Sequence, residues 1–64
     1  MIYERIKAIC DQREIPIYQL EAKAGVSNGT IGGWRTADPK MSTLKKVADA
    51  LGVTIDELIK EEQS

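Results

Sequence analysis

Histidine is absent from this chain of 64 residues, and cysteine occurs once, as Cys10. The first shortage removes the commonest general base and a main metal ligand, and the second removes any internal disulfide. No glycine-rich phosphate loop of a recognised spacing is present, and the pattern of elements gathers no set of carboxylates in a cleft. The expectation is a chain that is not an enzyme, binds no metal and carries no cofactor. Cys10 falls among Ile2, Ile6 and Ile9 at helical spacing, where a reduced thiol serves as a small hydrophobe and suits a reducing compartment.

Long apolar runs are missing too, since nothing approaches the roughly 20 residues needed to span a bilayer. Met1 leads directly into a charged amphipathic segment, so no secretory leader is read and a soluble cytoplasmic protein is expected. A chain this short buries only about 60% of the surface it exposes when unfolded, which allows one domain, residues 1–64, with a mostly local core.

A basic surplus is also lacking. The formal charge is −1 and the isoelectric point about 5.3, which taken alone argues against nucleic acid as a partner. The distribution weakens that objection. From Thr54 onward four acids face one lysine, whereas residues 1–53 hold eight basic residues against six acidic ones, a net of +2. Between Ser27 and Lys46 the basic residues are Arg35, Lys40, Lys45 and Lys46, and Asp38 is the one acid. One mildly basic face opposite an acidic C-terminal helix is one reading, and a solvated mixture without a field is the other.

What is present is helical periodicity. Ile2, Ile6, Ile9 and Cys10 predict a first helix from about Ile2 to Arg13, which Pro16 prevents from continuing. Proline is tolerated in a first turn, so a second helix begins at Pro16 or Ile17 and runs to Ala24. Gly25 follows as a C-cap, and a third helix spans Asn28 to Trp34 with Ser27 as its N-cap. Arg35 to Met41 contains the turn signal Asp38-Pro39. Leu44, Val47, Ala48 and Leu51 give a fourth helix from Ser42 to Gly52. Thr54-Ile55-Asp56-Glu57 is a capping box that opens a fifth, with Leu58 and Ile59 supplying its apolar contacts. Asn28-Gly29 is also a hairpin dipeptide, but neither flank alternates apolar and polar residues. The fold class is all-α: a compact five-helix domain with a central helix-turn-helix.

In that central stretch, QLEAKAGVSNGTIGGW, the pairs Leu20/Ala24 and Ile31/Trp34 lie where two crossing helices touch. Together with IKAICDQREI before it and TLKKVADALGVTIDEL after it, the stretch resembles the Cro and phage-repressor class of bacterial helix-turn-helix regulators, over about Ile6 to Leu58. The resemblance implies the lambda-repressor-like fold and a sequence-specific DNA-binding transcriptional regulator, a repressor of bacterial or phage type. It implies that helix Asn28–Trp34 enters the major groove of double-stranded DNA, with a homodimer on a palindromic operator. No membrane partner and no small-molecule effector are expected. One departure concerns Glu21, which stands directly after Leu20 where the family has a small residue. Either its carboxylate snorkels outward or the two helices sit apart, because burying an unpaired charge is costly.

The second departure lies in the recognition helix. At about 100° per residue, Ser27, Ile31 and Trp34 share the inner side, and Asn28, Gly29, Gly32 and Gly33 share the outer one. Three glycines in one short helix cost roughly 1 kcal/mol each. Either side chains were given up so that backbone can approach a groove wall or phosphate, or DNA contact has been lost. On the first reading Asn28 contacts adenine, and Arg35 contacts phosphate or guanine. Ser27, Gly29, Thr30, Gly32 and Gly33 complete the segment; the resemblance implies phosphate contacts at Tyr18 and Gln19, with a plain surface role as the equal alternative for Tyr18, and Lys40 in the loop is expected to meet a phosphate. Thr30 can equally bond its own preceding turn, and Lys45 and Lys46 are as readily a solvated helix face as phosphate contacts. Trp34 reads as core. The alternative function is a helical protein-interaction module on the same scaffold, without DNA binding.

Overall fold

The structure, a computed structural model, describes residues 2–59. Among these residues are four α-helices: α1 (Ile2–Gln12), α2 (Ile17–Ala24), α3 (Met41–Leu51) and α4 (Ile55–Ile59). A short 3-10 helix, Gly32–Arg35, lies between α2 and α3. The all-α class therefore stands, but the count of five helices does not, because the expected third helix, Asn28–Trp34, is a run of turns that tightens into that 3-10 helix.

Helix α1 ends one residue earlier than its periodicity suggests. The Glu14 amide bonds the Asp11 carbonyl at 3.2 Å and the Ile15 amide bonds the Cys10 carbonyl at 2.9 Å, with Glu14 at φ 58. This is the reversed bonding of a Schellman end, built here on a residue that carries a Cβ. Pro16 precedes α2 with extended backbone, φ −63 and ψ 147, and its carbonyl accepts the Gln19 and Leu20 amides. Helix α2 closes at Gly25, φ 75, where Gly25 bonds the Ala22 carbonyl and Val26 the Glu21 carbonyl. Only glycine enters that left-handed region without a steric cost, and it turns the chain sharply toward Ser27. Helix α3 ends with the same pair of bonds at Gly52 and Val53.

The capping box at Thr54 forms. The Thr54 amide bonds Oε1 of Glu57 at 3.0 Å, and the Glu57 amide returns to Oγ1 of Thr54 at 3.1 Å. The helix it starts runs to Ile59; Leu58 is fully buried, whereas Ile59 is 46% exposed and is not the core contact expected of it.

Helix α2 packs on α3, and both α4 and the 3-10 helix pack against α1. Ile6, Leu20, Ile31, Val47 and Leu58 lie at the centre of the core with essentially no exposure, and Trp34 joins them as expected. Two arginines tie helix ends together. Arg5 donates from Nε to the Glu57 carbonyl at 3.1 Å, and Arg13 donates to the Leu51 carbonyl at the C-terminal end of α3. A cation there also meets the negative end of the helix dipole. Cys10 is buried, and burial pushes its thiol up from the ordinary value of 9.0, with the nearby Asp11 acting in the same direction. No helix among the described residues is long and apolar enough to cross a membrane.

Candidate nucleic-acid interface

The surface in question is carried by α2 and by the segment from Ser27 to Arg35. Its foundation is apolar: Leu20 from α2, with Ile31 and Trp34 from the following segment, are 1%, 0% and 7% exposed. These anchors hold the segment against the domain by its inner side, and Asn28, Gly29 and Gly33 are left in solvent.

The segment is not an α-helix because its backbone bonding changes at Gly29. That glycine has φ +94, outside any helical region and disfavoured for a residue with a Cβ. Around it the Thr30 amide bonds the Ser27 carbonyl at 3.1 Å and the Gly33 amide bonds the Gly29 carbonyl at 3.1 Å; Trp34 then bonds Ile31 at 3.0 Å. An α-helix would have left its first amides to an N-cap at Ser27. Here the Gly29 amide goes elsewhere. It donates to both oxygens of the Glu21 carboxylate, at 3.0 Å and 3.1 Å, and the Ile31 amide donates to Oε2 at 2.8 Å.

Glu21 therefore resolves the first departure by being buried and bonded, against the expectation that it snorkels outward. Its side chain does not snorkel outward but is 3% exposed, and its carboxylate takes up the amides of the next segment. Three hydrogen bonds from fixed amides offset the loss of hydration that would make a bare buried carboxylate prohibitive. Glu21 thus takes over the capping that was expected of Ser27, whose carbonyl takes part in the turn. Sequence reasoning passed over Glu21 as a residue of the interface, although a carboxylate facing a glycine-rich stretch was a signal that backbone donors lay within reach.

The structure brings some of the expected residues together and separates others. Tyr18, 62% exposed, and Asn28 line one shallow groove with Ala22, Val26 and the edge of Glu21. Gln19 is exposed on the first turn of α2 beside Tyr18. Ser27, Gly29 and Gly33 are exposed, and Thr30 and Gly32 are half-buried. The Arg35 guanidinium carbon sits 4.9 Å from the centre of the Tyr3 ring, a cation–π contact that draws it toward α1. Lys40 is exposed at the N-terminal boundary of α3, where its carbonyl accepts the Leu44 amide. Lys45 pairs with Asp49 at 3.6 Å on the solvated face of α3.

Gly32 and Gly33 are bare for no steric reason within the fold. A Cβ built at Gly32 or Gly33 meets nothing within 4 Å, and neither has the positive φ that excludes a side chain. At Gly29 the space is equally open but the backbone conformation is strained for any other residue. No grouping of histidine, cysteine, aspartate or glutamate among the described residues could hold a metal ion.

A helix that ends at a left-handed glycine, followed by a second element packed by its inner face and exposed by its outer one, has the layout of a helix-turn-helix DNA-binding class. Residues 5–64 match the Cro/C1-type HTH DNA-binding domain, and the chain belongs to that family. No curated protein and no solved structure shows significant similarity to it.

Proposed function

We propose that the chain is a sequence-specific transcriptional regulator, a repressor, that presents the turn and 3-10 segment from Asn28 to Arg35 to the major groove. Residues 1–64 act as one domain, and two copies bind a palindromic operator in the cytoplasm, because a single short segment reads only a few base pairs. Asn28 offers the bidentate contact to adenine. Tyr18, Gln19 and Lys40 hold phosphates, and Ser27 and Thr30 flank them with hydroxyls. Arg35 reaches DNA by leaving the Tyr3 ring, at the cost of a contact worth about 0.5–1 kcal/mol at an exposed site.

The observation that carries this reading is the open space at Gly32 and Gly33. A short segment that keeps glycine at positions where its own fold would accept alanine forgoes helix stability. Close approach of backbone to a groove wall supplies the reason, and it favours shape and phosphate contacts over a row of side chains reading bases. Selection from a random duplex pool, followed by salt titration on the enriched site, tests the reading: an enriched motif with a dyad and steep salt dependence supports it, and failure to enrich any motif at low salt rejects it.

A further inference from the structure

We propose that Glu21 is the positioning residue of the DNA interface. It fixes where Asn28 stands and closes the amides of Gly29 and Ile31 to phosphate; this rests on the DNA-binding reading above.

Two observations lead there. The first concerns what holds the segment. Ile31 and Trp34 anchor it from position 31 onward through buried side chains, but upstream of them Asn28 and Gly29 are exposed and bring no apolar anchor. The Glu21 carboxylate reaches across this gap to the Gly29 amide, the residue next to Asn28, and to the Ile31 amide. A glycine at φ +94 has the largest backbone freedom to lose, so the tie is placed where the chain is loosest.

The second concerns what the amides are free to bind. Neighbouring backbone N–H groups that point the same way form an anion site, and a DNA phosphate is the obvious occupant. In this chain the amides of Gly29 and Ile31 already hold an anion that is part of the protein, 3% exposed. A phosphate brought to the same amides would also meet a carboxylate, so the segment is closed to that use. Phosphates are left to Tyr18, Gln19 and Lys40 with the hydroxyls of Ser27 and Thr30, and Asn28 is left to the base edges.

The bonding pattern supplies its own controls. Oε2 alone accepts from both Gly29 and Ile31, at 3.1 Å and 2.8 Å, so glutamine with its amide oxygen in that position keeps both contacts, while its NH2 replaces the acceptor Oε1 and must turn aside from the Gly29 N–H. Aspartate keeps the charge and loses the reach. The measurement is the ratio of affinities for a duplex enriched from a random pool and for a shuffled duplex of the same composition, together with amide hydrogen exchange. If the competent segment falls to a tenth of the population, apparent affinity falls with it, so Glu21→Ala and Glu21→Asp are expected to lower the ratio by on the order of tenfold and Glu21→Gln by about threefold or less. Exchange at Gly29 and Ile31 should quicken in the first two while Val47 and Leu44 stay protected, a pattern that general destabilisation does not give. If Glu21→Ala fails to fold, Glu21→Asp against Glu21→Gln decides the same point. An unchanged ratio in Glu21→Asp, or unchanged exchange at Gly29 and Ile31, overturns the role of Glu21 alone. A wild-type protein that enriches no duplex overturns the DNA reading, and the positioning role with it.

Discussion

The carboxylate of Glu21 accepts the backbone amide of Ile31 at 2.8 Å, joining α2 to a segment ten residues downstream through a charge buried to 3% exposure. A helix N-terminus is ordinarily satisfied by the residue just before it. Here the cap comes from the preceding helix, so the element it caps need not be a helix at all. Removing it leaves two amides without their acceptor: Glu21→Ala is expected to cost about 2–3 kcal/mol, a large fraction of the roughly 5 kcal/mol such a domain holds. Urea denaturation checks this, and Glu21→Gln should recover most of the loss.

Glu14 holds a left-handed backbone, φ 58, at the end of α1, where the other two Schellman ends use Gly25 and Gly52. Glu14→Gly should relieve about 1 kcal/mol of strain. A rise of roughly 4–8 °C in melting temperature is the expected readout, and a fall would show that the glutamate side chain contributes more than its backbone costs.

Cys10 is buried with its thiol pushed upward by desolvation. Its thiolate is therefore scarce in the folded protein, and alkylation should be slow until the chain is denatured. The sign for stability follows from the same shift. The unfolded thiol titrates near 9.0 and the folded one higher, so the contribution is fully present below pH 9 and is lost as pH rises through the folded value. Cys10→Ala should flatten that alkaline decline; an equally steep decline in the variant would place its cause elsewhere.

Lys40 and Asn28 are assigned different tasks and should separate on a salt titration. Lys40→Ala is expected to weaken all duplexes alike and to reduce the salt slope by about 1 per protomer. Asn28→Ala should cost about 1–3 kcal/mol on the enriched site and much less on shuffled DNA.

Much of the fold was legible because apolar spacing and punctuation agree. The pairs Leu20/Ala24 and Ile31/Trp34, the left-handed Gly25 and the Thr54–Glu57 box all stand where their chemistry placed them. The third helix was misread for a definable reason. Two apolar residues three apart share a face in an α-helix, but they align still better at three residues per turn, so Ile31 and Trp34 could not tell one from the other. Three glycines among residues 29–33 should have tipped the balance. Glu21 was only partly legible: the glycine-rich stretch hints at backbone donors, but its burial depends on amides freed by that same departure from helix. Ile59 fails more simply, since neighbouring residues of a helix point about 100° apart and Leu58 occupies the buried side.

The central claim is that bareness at Gly32 and Gly33 serves DNA and not the fold, and the double variant Gly32→Ala/Gly33→Ala tests it most directly. Each alanine has open space and an ordinary φ, so the variant should gain about 0.4–1 kcal/mol per site in urea denaturation. Its affinity for the enriched duplex should nevertheless fall at least about tenfold, as methyl groups hold the backbone off the groove wall. A variant that is more stable and binds the same duplex as tightly as wild type would contradict the account.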